Sequence, residues 1–148
     1  MSNHDAEANK GTARRIEEAW SASDMEALDQ LIAQNFVAHT PGAEMVPPGL
    51  DGAKMAHADA GTMQSFPDRQ VTVEDVIGEG DRVFVRCRMQ GVNTGGLDWA
   101  GIPANGNSID IEYVTEFRFQ DGKVVETWAQ MDVAKMMQQL GAMPAPGA

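Results

Sequence analysis

Apolar residues recur along this chain with two different periods, and the change of period separates a helical half from a sheet half. Ala6, Ala13, Ile16 and Trp20 fall on one helical face, which predicts an amphipathic helix over about residues 5–21. Ser23 followed by Glu26 matches a capping box, and Leu28, Leu31 and Ile32 supply the stripe of a second helix ending near Asn35. FVAHT then reads as a short strand. PGAEMVPPG reads as a loop, because Pro and Gly at that density sustain neither a helix nor a ladder. A third helix is expected from Asp51 to about Gln64, with Ala53, Ala56, Ala60 and Met63 on its apolar side and SFPD at its end.

Beyond SFPD the alternation is strand-like. VTVEDVI, RVFVRCRMQGV, SIDIEYVTEFRF and KVVETWAQMD are rich in Val, Ile and aromatics at every second position. EGD at 79–81 and QDG at 120–122 carry turn chemistry, so consecutive strands are expected as antiparallel hairpins. The loop TGGLDWAGIPANGN is long and Gly-rich but holds Leu97, Trp99 and Ile102, which predicts that it folds over something. MMQQLG is a last helical turn stopped by Gly141. Helices followed by an antiparallel meander make an α+β fold. A strongly curved sheet wrapped around its own helices would leave a conical cavity, open at one end.

Composition narrows the function more than the fold. The 148 residues, 43% of them apolar, fit a single domain spanning 1–148, with an ordered core over about 12–141 and flexible termini. A net charge of −11 excludes a phosphate-tracking nucleic-acid binder, which needs a basic stripe. No window approaches the roughly 18 uninterrupted apolar residues of a membrane span, so no membrane partner is expected. The first residues lack the apolar core of a secretory signal, and the lone Cys87 sits in an apolar run as a core residue. These features fit a cytoplasmic protein. His39 and His57 are not spaced as a metal-ligand pair, and no GxGxxG, P-loop or CxxC signature is present, so neither metal nor cofactor is expected.

The chemistry-bearing residues gather near the C-terminal end. Alternation places Glu126, Trp128, Gln130 and Asp132 on one face of the last strand, and Val125, Thr127, Ala129 and Met131 on the other. A two-residue turn at Asp121–Gly122 would set Tyr113 opposite Gln130 and Ile111 opposite Asp132, and a bulge would shift this by one. One face would then present Asp132, Gln130, Trp128, Tyr113 and Thr115 to the same space, the make-up of a small-molecule site. A carboxylate there is desolvated, its pKa rises toward working pH, and it becomes a useful base for a carbon-bound proton. The enolate oxygen so formed needs a donor, for which Tyr113, Gln130 and His39 are candidates. Asp132 is equally suited to cap the helix VAKMMQQLG, and the two roles are compatible. Trp20 from the first helix and His57 from the third could line the same pocket. Arg86 and Arg88 point to the outer sheet face.

The order of EEAWSASDMEALDQLIAQNFVAHTP, PPGLDG, FPDRQVTVEDVIGEGDRVFVR, GIPANG and DGKVVETWAQMDVAKMMQQLG closely resembles the SnoaL-like polyketide cyclases of the NTF2-like superfamily. The resemblance runs from about residue 12 to 141. It implies a cone-shaped barrel, with N-terminal helices packed in a strongly curved antiparallel sheet, and a homodimer. In those cyclases a carboxylate on the last long strand is the general acid/base of an intramolecular aldol closure, and Asp132 holds the matching place. FVAHTP matches a place where the family points a histidine, here His39, into the cavity. A further histidine that the cyclases use on the preceding strand has no counterpart in IEYVTEFRF. The resemblance thus implies a cyclase or isomerase acting without a cofactor on a small, largely apolar carbonyl compound. A non-catalytic module binding such a ligand in the same cavity is the alternative, and a protein-interaction role for the outer sheet face is a third reading.

Overall fold

The computed structural model describes residues 3–40, 43–58, 62–144 and 147, and their side chains except those of residues 3, 4, 56–58, 62, 63 and 99. Helix α1 spans Asn3–Ala22 and buries Ala6, Ala13, Ile16 and Ala19. Gly11 within it costs about 1 kcal/mol of helix propensity. Burying Ile16 alone offsets that with about 1.5–3 kcal/mol, so packing rather than propensity holds α1 in place. Ser23 breaks the helix with φ 58, and α2 (Met25–Leu31) is capped by Asp24, whose Oδ1 accepts from Ala27 N at 3.0 Å. The expected cap, Ser23, is displaced by one position.

Strand β1 begins at Ile32 and ends at His39, earlier than the FVAHT run suggests. A 3₁₀ turn (Ala43–Met45), α3 (Gly49–Ala58) and α4 (Thr62–Ser65) follow. Gly52 in α3 has no substitute, because a Cβ there would lie 1.5 Å from the Pro47 carbonyl oxygen. The remaining elements are β2 (Gln70–Glu79), β3 (Arg82–Val92), a 3₁₀ turn (Asp98–Ala100), β4 (Ser108–Gln120), β5 (Lys123–Met131) and α5 (Val133–Gln139). Asp121 and Gly122 have φ of 52° and 78°, the two positive values that a tight two-residue hairpin turn requires.

The sheet order is β1-β5-β4-β3-β2. Strands β2 to β5 form the antiparallel meander, whereas β1 pairs parallel with β5, so the sheet is mixed rather than wholly antiparallel. A parallel neighbour needs a long crossover, and α3, which packs on β1, lies within that connection. The sheet curves around α1 without closing, since β1 and β2 remain edges.

Two apolar clusters fill the interior. One joins Ile16, Leu28, Phe36, Val83, Phe117 and Val124 between α1, α2 and the sheet. The other gathers Phe66, Met89, Leu97, Ile109, Met136 and Leu140 beneath the long loop and α5. The loop is organised by the fully buried Asn93, whose Nδ2 donates to Pro103 O at 3.0 Å and whose Oδ1 accepts from Gly96 N at 2.8 Å. Leu97 and Ile102 are buried as the loop's apolar content predicts, and the Trp99 side chain lies outside the described residues.

The register of β4 with β5 changes partway along the hairpin. Gln120 pairs with Lys123 and Phe119 with Val124, but Arg118 pairs with Glu126 and Tyr113 with Met131. Val125 is the extra residue of a bulge. Val124 and Val125 are both buried, and alternation resumes one step out of phase.

Candidate active site

A cavity of about 720 Å³ lies between α1, β1, the Val46–Gly49 segment and the concave face of the sheet. The bulge decides which β5 side chains face it. Thr127, Ala129 and Met131 line it together with Tyr113, Thr115 and Phe117 of β4. The expected pairing of Tyr113 with Gln130 and Ile111 with Asp132 gives way to Tyr113 with Met131, so Trp128 and Gln130 are carried to the outer face.

Gln130 is exposed there. Trp128 stacks on His39, with centroids 5.2 Å apart and planes 13° from parallel, and the Arg82 guanidinium sits 5.0 Å from the centre of its ring. Asp132 is exposed, does not line the cavity, and caps α5 by accepting from Lys135 N at 3.0 Å. Asp132→Ala is expected to cost about 1 kcal/mol through loss of this cap, read as a lower midpoint in urea denaturation.

Of the other sequence candidates, Trp20, Tyr113, Thr115 and His39 all contribute to the cavity wall. His39 stands at the end of β1 and is exposed, and its Nε2 lies 2.7 Å from Glu126 Oε2. Glu126 also accepts from Arg118 Nε at 3.0 Å. The hydrogen bond with His39, and then Arg118, hold the Glu126 carboxyl below its ordinary pKa. The His57 side chain lies outside the described residues. Arg86 and Arg88 pair across the outer face with Glu112 and Asp110 of the same chain. Among the described residues no group of three or more His, Cys, Asp or Glu is placed to hold a metal ion, and no helix is long and apolar enough to cross a membrane.

Among the described residues, the buried carboxylate of the cavity is Glu17, on α1. It is 3% exposed, and the Tyr113 hydroxyl donates to its Oε2 at 2.6 Å. Burial pushes its carboxyl up to about 7, while the Tyr113 hydrogen bond pulls the other way. Burial and the neighbouring Glu17 charge in turn hold the Tyr113 phenol well above its ordinary value. Cys87, fully buried and opposite Tyr113 in the β3–β4 ladder, has its thiol pushed up to about 12 by burial and then by Glu17. It is an inert neutral neighbour at working pH. A carboxyl near pH 7, held by one phenol in an apolar cavity, can take and return a proton at carbon.

Glu17 was not among the sequence candidates. Its signal is position: it follows Ile16 and lies four residues after Ala13 and three before Trp20, so a carboxylate stands inside the apolar stripe.

The family model for SnoaL-like polyketide cyclases matches residues 10–140. No curated protein matches the sequence. Among solved structures, IdmH of Streptomyces antibioticus, a candidate polyketide cyclase, is 31% identical over 90% of this chain and 98% of its own, with a TM-score of 0.76. A candidate SnoaL-like polyketide cyclase from Jannaschia sp. CCS1 is 27% identical over 94% and 95%, with a TM-score of 0.79. AclR of Streptomyces galilaeus, a candidate hydroxylase, is 26% identical over 93% and 83%, with a TM-score of 0.76.

Proposed function

This chain belongs to the SnoaL-like polyketide cyclase family, and from that premise we propose that it catalyses ring closure or isomerisation of a small, largely apolar carbonyl compound by proton transfer on its own side chains. The observation that carries the reading is the buried Glu17 carboxylate, hydrogen-bonded by Tyr113 in the wall of an apolar cavity. We place the proton transfer on Glu17 rather than on Asp132, which caps α5 and is exposed.

In the proposed reaction the ionised Glu17 carboxylate removes a proton from the carbon beside a carbonyl. The C–H electron pair moves into the C–C bond and the carbonyl oxygen becomes an enolate. For ring closure the enolate carbon then attacks a second carbonyl, a C–C bond forms, and the new alkoxide takes the proton back from Glu17. For isomerisation the proton returns to a different carbon. Tyr113 holds the carboxylate in place through the 2.6 Å hydrogen bond, and Trp20, Thr115 and Phe117 shape the apolar wall. A raised pKa makes Glu17 a stronger base than an ordinary carboxylate and leaves it able to release the proton again.

The test is incorporation of deuterium beside the carbonyl of small enolisable ketones, such as 1-tetralone and 2-acetylnaphthalene, followed by NMR in deuterium oxide. Protein-dependent exchange is expected, with a rate that rises as pH increases through about 7, because the base works only when ionised. Binding without exchange for every ketone that binds would overturn the catalytic reading in favour of a ligand-binding protein.

A further inference from the structure

Arg69, at the start of the sheet half, has no place in the reaction as written, although it lines the same cavity as Glu17 and is 5% exposed. Its guanidinium closes the C-terminal end of α1. Nε donates to Trp20 O at 3.1 Å, Nη2 donates to that same carbonyl and to Ser23 Oγ, and Nη1 makes a 3.4 Å contact with Phe66 O. A cation at the end of a helix where carbonyls lack partners is well placed, so part of this arrangement is structural.

The remainder is not accounted for by the fold. All the acceptors are neutral, and among the described residues no carboxylate lies within 4.0 Å of the guanidinium. Buried arginines are ordinarily paired with a carboxylate, because a desolvated charge is costly when only dipoles answer it. One N–H of Nη1 has no protein acceptor among the described residues. Glu17 contributes to the same cavity but is engaged with Tyr113. The result is a largely apolar pocket with a positive charge in its wall that no carboxylate among the described residues pairs.

We propose that Arg69 is an anion-recognition residue of the cavity, and that the carbonyl compound bound there also carries a carboxylate. The inference rests on the acid/base reading of Glu17 and gives its substrate a chemical class, a keto acid rather than a neutral ketone. The remaining Nη1 N–H can donate one charge-assisted hydrogen bond to a carboxylate oxygen, and the guanidinium keeps its charge even when burial lowers its pKa. Anchoring the acid at Arg69 would leave the carbonyl portion to reach Glu17. The chain's net charge of −11 does not oppose this. Exposed charges are screened within about 8–10 Å at ordinary salt, whereas Arg69 acts inside the pocket.

The probes are 2-naphthoate and 2-naphthamide, which have one shape with and without the charge, titrated calorimetrically into the wild-type protein. The acid is expected to bind about tenfold or more tightly than the amide, and Arg69→Lys should keep part of that preference while Arg69→Met removes it. Equal affinities in the wild type, or a preference that survives Arg69→Met, would overturn the inference. The wild-type comparison stands even if loss of the contacts to Trp20 and Ser23 unfolds Arg69→Met. Deuterium exchange plays no part in it, so a protein that binds the acid selectively but exchanges no ketone would refute the catalytic reading alone.

Discussion

Glu17→Gln is expected to slow deuterium exchange by about 10²–10⁴ while leaving the affinity for an unreactive ligand within a factor of about three. The substitution changes little besides proton chemistry. Glutamine has nearly the same volume, and its amide oxygen can still accept from the Tyr113 hydroxyl that now donates to Glu17 at 2.6 Å. It cannot take a proton at neutral pH. A loss of rate with affinity retained would identify removal of a proton acceptor rather than collapse of the pocket. Tyr113→Phe gives a signed companion result. The Tyr113 hydrogen bond lowers the Glu17 pKa, so its removal should move the midpoint of the pH–rate profile above about 7. Asp132→Asn should exchange at the wild-type rate. If Glu17→Gln did so instead, the base would have to be sought elsewhere, with Asp132 and His39 the next candidates.

The second large effect is on stability. The Glu17 carboxyl titrates near 7 in the folded protein against 4.5 as its ordinary value. Below about pH 4.5 it is protonated in both states and its burial carries no ionic penalty. Between the two values the folded chain holds a proton that the unfolded chain has released, so stability falls as pH rises. Above about 7 the whole cost is present, and the gap corresponds to about 3 kcal/mol. Urea denaturation from pH 5 to 8 should show wild type losing stability relative to Glu17→Gln, with the difference widening toward that figure at the alkaline end. Curves that stay parallel across the range would mean that Glu17 is not buried as a titrating acid. Such a cost is what the proposed acid/base role of Glu17 would impose on a fold near its stability threshold.

How far the sequence disclosed this depends on the range of the interactions involved. Strand β3 runs from Arg82 to Val92, the span its alternation predicts, because its hairpin with β2 is local and the turn between them is written in Gly80. β1 was less legible. Residues 32–35 read as the end of a helix, but they extend because β1 pairs with β5, more than eighty residues away. No local propensity anticipates a parallel partner at that distance. The site was half visible. Tyr113 and Thr115 share a face and line the cavity as alternation requires, whereas the β5 residues expected beside them, Trp128 and Gln130, face outward. Glu17 escaped notice because a charged residue next to Glu18 on an amphipathic helix reads as solvated surface, and only the position of Trp20 and Ala13 around it says otherwise.

That outward turn has a single origin, and Val125 can be regarded as a frame marker for the strand that follows it. The alternating residues of β5 spell two messages, one of Thr, Ala and Met, the other of Glu, Trp and Gln, and the bulge selects which is read by the cavity. Deleting this one valine would leave composition, charge and turn almost untouched. It would nonetheless shift the frame and turn Glu126, Trp128 and Gln130 toward the cavity. The chemistry of this cavity is therefore set partly by counting: a change of one in the number of residues on a strand could convert an apolar lining into a charged one, a route to new specificity that no point substitution within β5 could match.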